Sequence, residues 1–164
     1  LVCIDGPAGS GKTTLAGAIA QVLDGAPVVH MDDLYEGWTQ QLGGPLSQRV
    51  DEWLLKAWER GSEGRYRRYD WAQERFEESW VPVPAAPVVI LEGCGSAARG
   101  IRYRASLVIW VEAPADLRLR RGLQRDGLAL EGQWREWQAR ESAHFAADGT
   151  RSAADVHVKG TRRT

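Results

Sequence analysis

The spacing of apolar and polar positions divides the chain into short apolar runs and stretches of helical period. Leu1-Val2-Cys3-Ile4 reads as a buried strand, and residues 13–24 place Leu15, Ala16, Ile19, Ala20 and Leu23 on one helical face. Residues 27–31 read as a second strand that ends in Asp32-Asp33. A helix follows in which Val50, Trp53, Leu54, Ala57 and Trp58 fall at i, i+3, i+4, i+7 and i+8, closed by Gly61 and Gly64. Residues 65–79 are charged and aromatic without a clean period, which predicts an excursion over the surface. Residues 80–84 predict an extended edge piece, because their prolines cannot donate to a central ladder. Residues 87–91 and 106–111 are further apolar strands. Pro114 opens an arginine-rich helix through about Arg125, and residues 131–147 form another with Trp134, Trp137, Glu141 and Phe145 near one side. Residues 155–158 make the last strand. Short strands, apolar on both faces and alternating with helices, predict an α/β fold: a mostly parallel five-stranded sheet in a three-layer arrangement.

Ligands of such sheets bind beyond the carboxyl ends of the strands. That rule places Gly6 to Thr13, Asp32-Asp33, Glu92-Gly93 and Glu112 around one site. Gly6-Pro7-Ala8-Gly9-Ser10-Gly11-Lys12-Thr13 satisfies Gly-x-x-x-x-Gly-Lys-Ser/Thr between a strand and a helix start. A shuffled chain of this composition would show roughly 0.003 such matches, so chance does not explain it. The glycines let successive N–H groups converge on phosphate oxygens, and the helix N-terminus adds its positive dipole end. Lys12 then reaches the β- and γ-phosphates, and the Thr13 hydroxyl ligates Mg²⁺. The expected ligands are ATP and Mg²⁺, held by Gly6, Ala8, Gly9, Ser10, Gly11, Lys12, Thr13 and Thr14. A strand-end carboxylate such as Asp32, facing the γ-phosphate, can accept a hydroxyl proton.

Met31-Asp32-Asp33-Leu34-Tyr35 beside this loop resembles the uridine kinase and phosphoribulokinase branch of P-loop kinases. The resemblance implies a P-loop NTPase fold with a short lid helix, and Asp32 as catalytic base. Tyr69-Asp70-Trp71 resembles an acceptor-pocket element, and the resemblance implies Asp32, Tyr35, Tyr69, Asp70, Trp71 and Glu92 as substrate contacts. Leu91-Glu92-Gly93 resembles the strand end whose carboxylate serves the Mg²⁺ shell, which pairs Glu92 with Thr13 as the metal site. Asp116-x-Arg118-Leu119-x-Arg121-x-x-x-Arg125-Asp126 resembles the lid helix, with Gly122 where the pattern carries an arginine. By spacing alone, Arg118, Arg121 and Arg125 recur at i, i+3 and i+7 and share one face suited to a polyanion. Arg121 and Arg125 are expected to act in catalysis and Arg118 in nucleotide binding; Arg120 lies off that face.

Composition narrows the function further. The chain has 164 residues, one domain by size, and a net charge of −1, so no global field recruits nucleic acid or an anionic membrane. No apolar run approaches the ~20 residues that span a bilayer, no signal peptide is visible, and Cys3 and Cys94 form no disulfide framework; a cytoplasmic location is expected. His30, within a strand, is expected to be packed, and no zinc spacing occurs among the histidines. The leading expectation is a kinase that phosphorylates a hydroxyl of a small nucleoside-like acceptor. A nucleoside monophosphate kinase would use Arg49, Arg65, Arg67 and Arg68 against a phosphate acceptor. A switch or regulatory ATP-binding module is the alternative of another class, although the chain has no asparagine and hence no Asn-Lys-x-Asp guanine reader. Oligomeric state is open, a homodimer included.

Overall fold

The computed structural model describes residues 1–161. In chain order the elements are β1 (Val2–Asp5), α1 (Lys12–Val22), β2 (Val28–His30), α2 (Gly44–Val50), α3 (Lys56–Glu59), β3 (Gly64–Tyr66), β4 (Tyr69–Asp70), β5 (Arg75–Phe76), β6 (Val81–Val83), β7 (Ile90–Glu92), α4 (Arg99–Arg102), β8 (Leu107–Glu112), α5 (Ala115–Asp126), α6 (Glu131–Asp148), α7 (Thr150–Ala153) and β9 (Val156–Lys159). Strands β2-β7-β1-β8-β9 form one five-stranded sheet whose pairings are all parallel.

Alternation along each strand explains the layers. Cys3, Leu91 and Val108 point to one face, where they meet Leu46 and Val50 of α2, Ile101 of α4 and Trp137 of α6. Their neighbours Ile4, Ile90 and Ile109 point to the other, where Ala16 and Ala20 of α1 cover them. Each fully buried aliphatic side chain of this kind contributes roughly 1.5–3 kcal/mol, so the strand register is tightly specified. Asp51–Leu55 is a π-helical stretch joining α2 to α3, and it brings the consecutive residues Leu54 and Leu55 into the core together.

The surface excursion folds into two small antiparallel ribbons. Val81–Val83 pairs with Gly64–Tyr66, and Tyr69–Asp70 pairs with Arg75–Phe76. Arg65 and Arg67 lie over the Trp80 ring, at 4.9 and 4.6 Å from its centroid. Among the described residues, no helix is long and apolar enough to cross a membrane.

Candidate functional site: a phosphate loop facing an aromatic wall

The phosphate loop is held from below by a residue the sequence reading passed over. Asp5, fully buried at the end of β1, accepts hydrogen bonds from the N–H groups of Gly6, Gly95 and Ala97 at 2.6, 3.0 and 2.8 Å. Burial pushes its carboxyl up to about 6, against the opposing pull of those donors and of Lys12. Gly6 stands at φ 136°, and a Cβ there would lie 2.1 Å from the Val111 carbonyl oxygen, so the turn has room only for glycine.

No side chain caps α1. Gly11 fills the cap position at φ 105°, which leaves the first-turn N–H groups open for an anion. Lys12 donates to the Pro7 carbonyl at 3.0 Å, and the Thr13 hydroxyl donates to Glu92 Oε1 at 3.0 Å. That hydroxyl and carboxylate are hard oxygen donors on the floor of the cleft. They suit Mg²⁺, which takes few protein ligands and completes its shell with phosphate and water.

His30 departs from expectation. It is half-exposed, not packed, and its Nδ1 meets Glu92 Oε1; this hydrogen bond raises the imidazole pKa. Glu112 also departs, since its carboxylate accepts from Arg151 and Trp110 Nε1 and lies outside the cleft.

Above the loop lies a cleft of about 840 Å³. Of the expected site residues, Ala8, Gly9, Gly11, Lys12, Thr13, Thr14, Asp32, Tyr35, Trp71, Glu92, Arg121 and Arg125 line it. Gly6 and Ser10 shape the loop from behind. Asp32 is accessible through the cleft mouth, yet the protein around it raises its carboxyl pKa while Lys12 pulls it down. Asp33 turns away and accepts from the Tyr66 hydroxyl at 2.9 Å, with Arg68 alongside at 3.5 Å.

The cleft does not include Tyr69 or Asp70. Tyr69 packs edge-on against Phe76 and Trp71, and the Asp70 carboxylate caps the turn at Ala72 and Gln73. A tight turn thus explains the aspartate that resembled an acceptor ligand. Asp70 does border a smaller hollow of about 360 Å³ on the outer ribbon, which includes no residue of the phosphate loop.

The lid arginines divide by role. Arg121 donates to the Gly9 carbonyl at 3.1 Å and the Gly160 carbonyl at 2.8 Å while lining the cleft. Arg125 pairs with Asp126 at 2.7 Å beside Trp134 and also lines it. Arg118 instead donates to Glu141 Oε1 at 2.6 Å and to the Ala8 carbonyl at 3.2 Å, so it braces the loop from behind. Arg120 pairs with Asp116 on the exposed side. Gly122 has a packing reason, because a Cβ there would fall 2.3 Å from the Trp134 ring.

Glu141, on α6, went unassigned from sequence. It is 1 % exposed and also accepts the Ala8 N–H. The arginines expected for a phosphate acceptor are engaged elsewhere: Arg49 on Leu34 and Glu36, Arg65 and Arg67 on Trp80, Arg68 on Asp33. None lines the cleft.

A glycine phosphate loop between β1 and an uncapped α1, in a five-stranded parallel sheet with a lid helix, defines the P-loop kinase fold. The chain belongs to the AAA domain family, whose match spans residues 2–141. Among solved structures it is similar to a "possible uridine kinase" from Bacillus stearothermophilus, at 19 % identity and a TM-score of 0.71, covering 96 % of this chain and 87 % of that one. It is also similar to shikimate kinase from Bacteroides thetaiotaomicron, at 17 % identity and a TM-score of 0.52, covering 97 % and 85 %. Shikimate kinase from Acinetobacter baumannii, in complex with shikimate, aligns at 15 % identity and 0.53, covering 99 % and 84 %. No curated protein matches the chain.

Proposed function

We propose that the chain is an ATP-dependent kinase that moves the γ-phosphoryl group of Mg·ATP to a hydroxyl of a small, nucleoside-like acceptor. The observation that carries this reading is the placement of Asp32. It shares a cleft wall with the phosphate loop, whereas its neighbour Asp33 is bound into the outer ribbon. In the proposed step, Asp32 accepts the acceptor's hydroxyl proton and the freed oxygen bonds to the γ-phosphorus. The bond from that phosphorus to the bridging oxygen breaks, and ADP leaves. A carboxylate whose pKa is raised by its surroundings is suited to holding that proton.

Lys12, the first-turn N–H groups of α1, Arg121 and Arg125 meet the charge that builds on the phosphoryl oxygens. Thr13 and Glu92 would hold Mg²⁺, which when bound neutralises charge across the β- and γ-phosphates. An acceptor bearing a phosphate is disfavoured, because Arg49, Arg65, Arg67 and Arg68 lie outside the cleft.

Asp32→Asn should cripple turnover and retain ATP binding, while Asp33→Asn should change turnover and ATP binding little and cost only a modest loss of stability. If turnover and nucleotide titration instead single out Asp33, the proposed base is misassigned.

A further inference from the structure

The acceptor half of the cleft has a chemistry of its own. Tyr35, Trp137, Trp38 and Trp71 form a continuous wall, with successive ring centroids 5.0, 6.2 and 5.4 Å apart and strongly tilted planes. Tyr35 and Trp137 are buried at the inner end of this wall, and Trp38 and Trp71 at its outer end are the accessible rings that can meet a flat ligand. Of the four wall rings, Tyr35 and Trp71 have their polar ends committed, whereas among the described residues the indole N–H groups of Trp38 and Trp137 have no protein partner. The Tyr35 hydroxyl donates to the Cys94 carbonyl at 2.8 Å, Trp71 Nε1 to the Asp32 carbonyl at 3.3 Å, and Trp134 Nε1 to Asp126 at 3.0 Å. Among the described residues no Asn, Gln, Ser or His side chain lines the cleft. Its cations, Lys12, Arg121 and Arg125, lie on the phosphate loop and the lid helix.

We infer that the site selects its acceptor by ring face and shape, and that its substrate class is an uncharged alcohol carried on a flat, largely apolar ring. This rests on the kinase reading above and narrows it. Apart from Asp32, committed to the transfer step, the polar edge of a nucleobase would meet on this wall only the indole N–H groups of Trp38 and Trp137, and each polar group left unpaired costs about tenfold or more in affinity. An anionic acceptor would face Asp32 with no cation of its own. A hydrophobic wall discriminates weakly between rings of similar size, so tolerance among ring alcohols is part of the inference.

The test offers Mg·ATP with phenylethanol, tryptophol, uridine, glycerol or uridine monophosphate, following both phosphoryl transfer and acceptor binding by tryptophan fluorescence. Phenylethanol or tryptophol should match uridine within about tenfold in kcat/KM, with glycerol and uridine monophosphate at least about a hundredfold poorer. Trp38→Leu and Trp71→Leu should each raise the acceptor KM about tenfold and leave the ATP KM unchanged. A preference for uridine over both ring alcohols beyond about a hundredfold would overturn the inference, as would a preference for glycerol or uridine monophosphate. Saturable binding of a ring alcohol without turnover would uphold the ligand class and remove the kinase reading. Failure of both ring alcohols to bind, with uridine still phosphorylated, would remove the ligand class and leave the kinase reading standing.

Discussion

Glu141 Oε2 accepts the N–H of Ala8 at 2.8 Å, tying α6 to the phosphate loop across 133 residues of sequence. The other oxygen of the same carboxylate holds Arg118 of the lid helix. On the same helix Trp134 packs over Gly122 and Trp137 joins the acceptor wall, so α6 touches the loop, the lid and the acceptor side together. Removing one member of a buried ion pair leaves the other charge uncompensated. Glu141→Ala should therefore cost about 3–5 kcal/mol of stability and weaken ATP binding. The double change Arg118→Met with Glu141→Met should recover most of the stability and none of the nucleotide affinity. Urea unfolding and nucleotide titration check both; equal stability of Glu141→Ala and wild type would show that the pair is unimportant.

Gly122→Ala tests the contact between lid and α6. Its new methyl would meet the Trp134 ring, and overpacking of this kind costs about 1–3 kcal/mol. The expected outcome is a lower Tm together with a shift in tryptophan emission; an unchanged Tm would mean that the ring moves aside freely.

The lid arginines should separate by what they touch. Arg121→Ala and Arg125→Ala, both in the cleft, should lower kcat by roughly 10²–10³ and weaken ATP binding much less. Arg120→Ala removes an exposed pair with Asp116 and should change neither by more than about twofold. Uniform, salt-sensitive effects across the three variants would place the helix outside the chemistry.

Asp5 predicts a pH dependence of folding. Its carboxyl is raised from 3.8 to about 6, so the stability it contributes is complete below about pH 4 and is lost as pH rises through 6. The stability of wild type relative to Asp5→Asn should fall by on the order of 3 kcal/mol between about pH 4 and about pH 7. A difference that stays constant, or rises with pH, by urea unfolding would contradict this.

Much of this was legible because period and position are local properties. The sheet strands and the long helices lie close to where alternation and helical spacing put them, and the loop was fixed by its glycines, Lys12 and Thr13. The resemblance favours Asp32 over Asp33, but the physical reason Asp33 is engaged elsewhere lies in three dimensions, since the outer ribbon that claims it has no clean sequence period. The second ribbon, of β4 and β5, makes Asp70 a turn cap. Glu141 did leave a signal: one carboxylate within the stripe Trp134, Trp137, Glu141 and Phe145. A charge on an otherwise apolar stripe must find a buried partner, and here it finds Arg118 and the Ala8 N–H. Asp5 left a similar trace as the acidic end of an apolar strand.

Transfer of label from γ-labelled ATP tests the central claim most directly. With Mg²⁺ and either uridine or a ring alcohol, the wild-type chain should form labelled acceptor and ADP in equal amounts. Folded Lys12→Ala should do so about 10²–10³ times more slowly. Near-wild-type transfer by folded Lys12→Ala, or label released only as inorganic phosphate at a rate indifferent to the acceptor, would contradict the account.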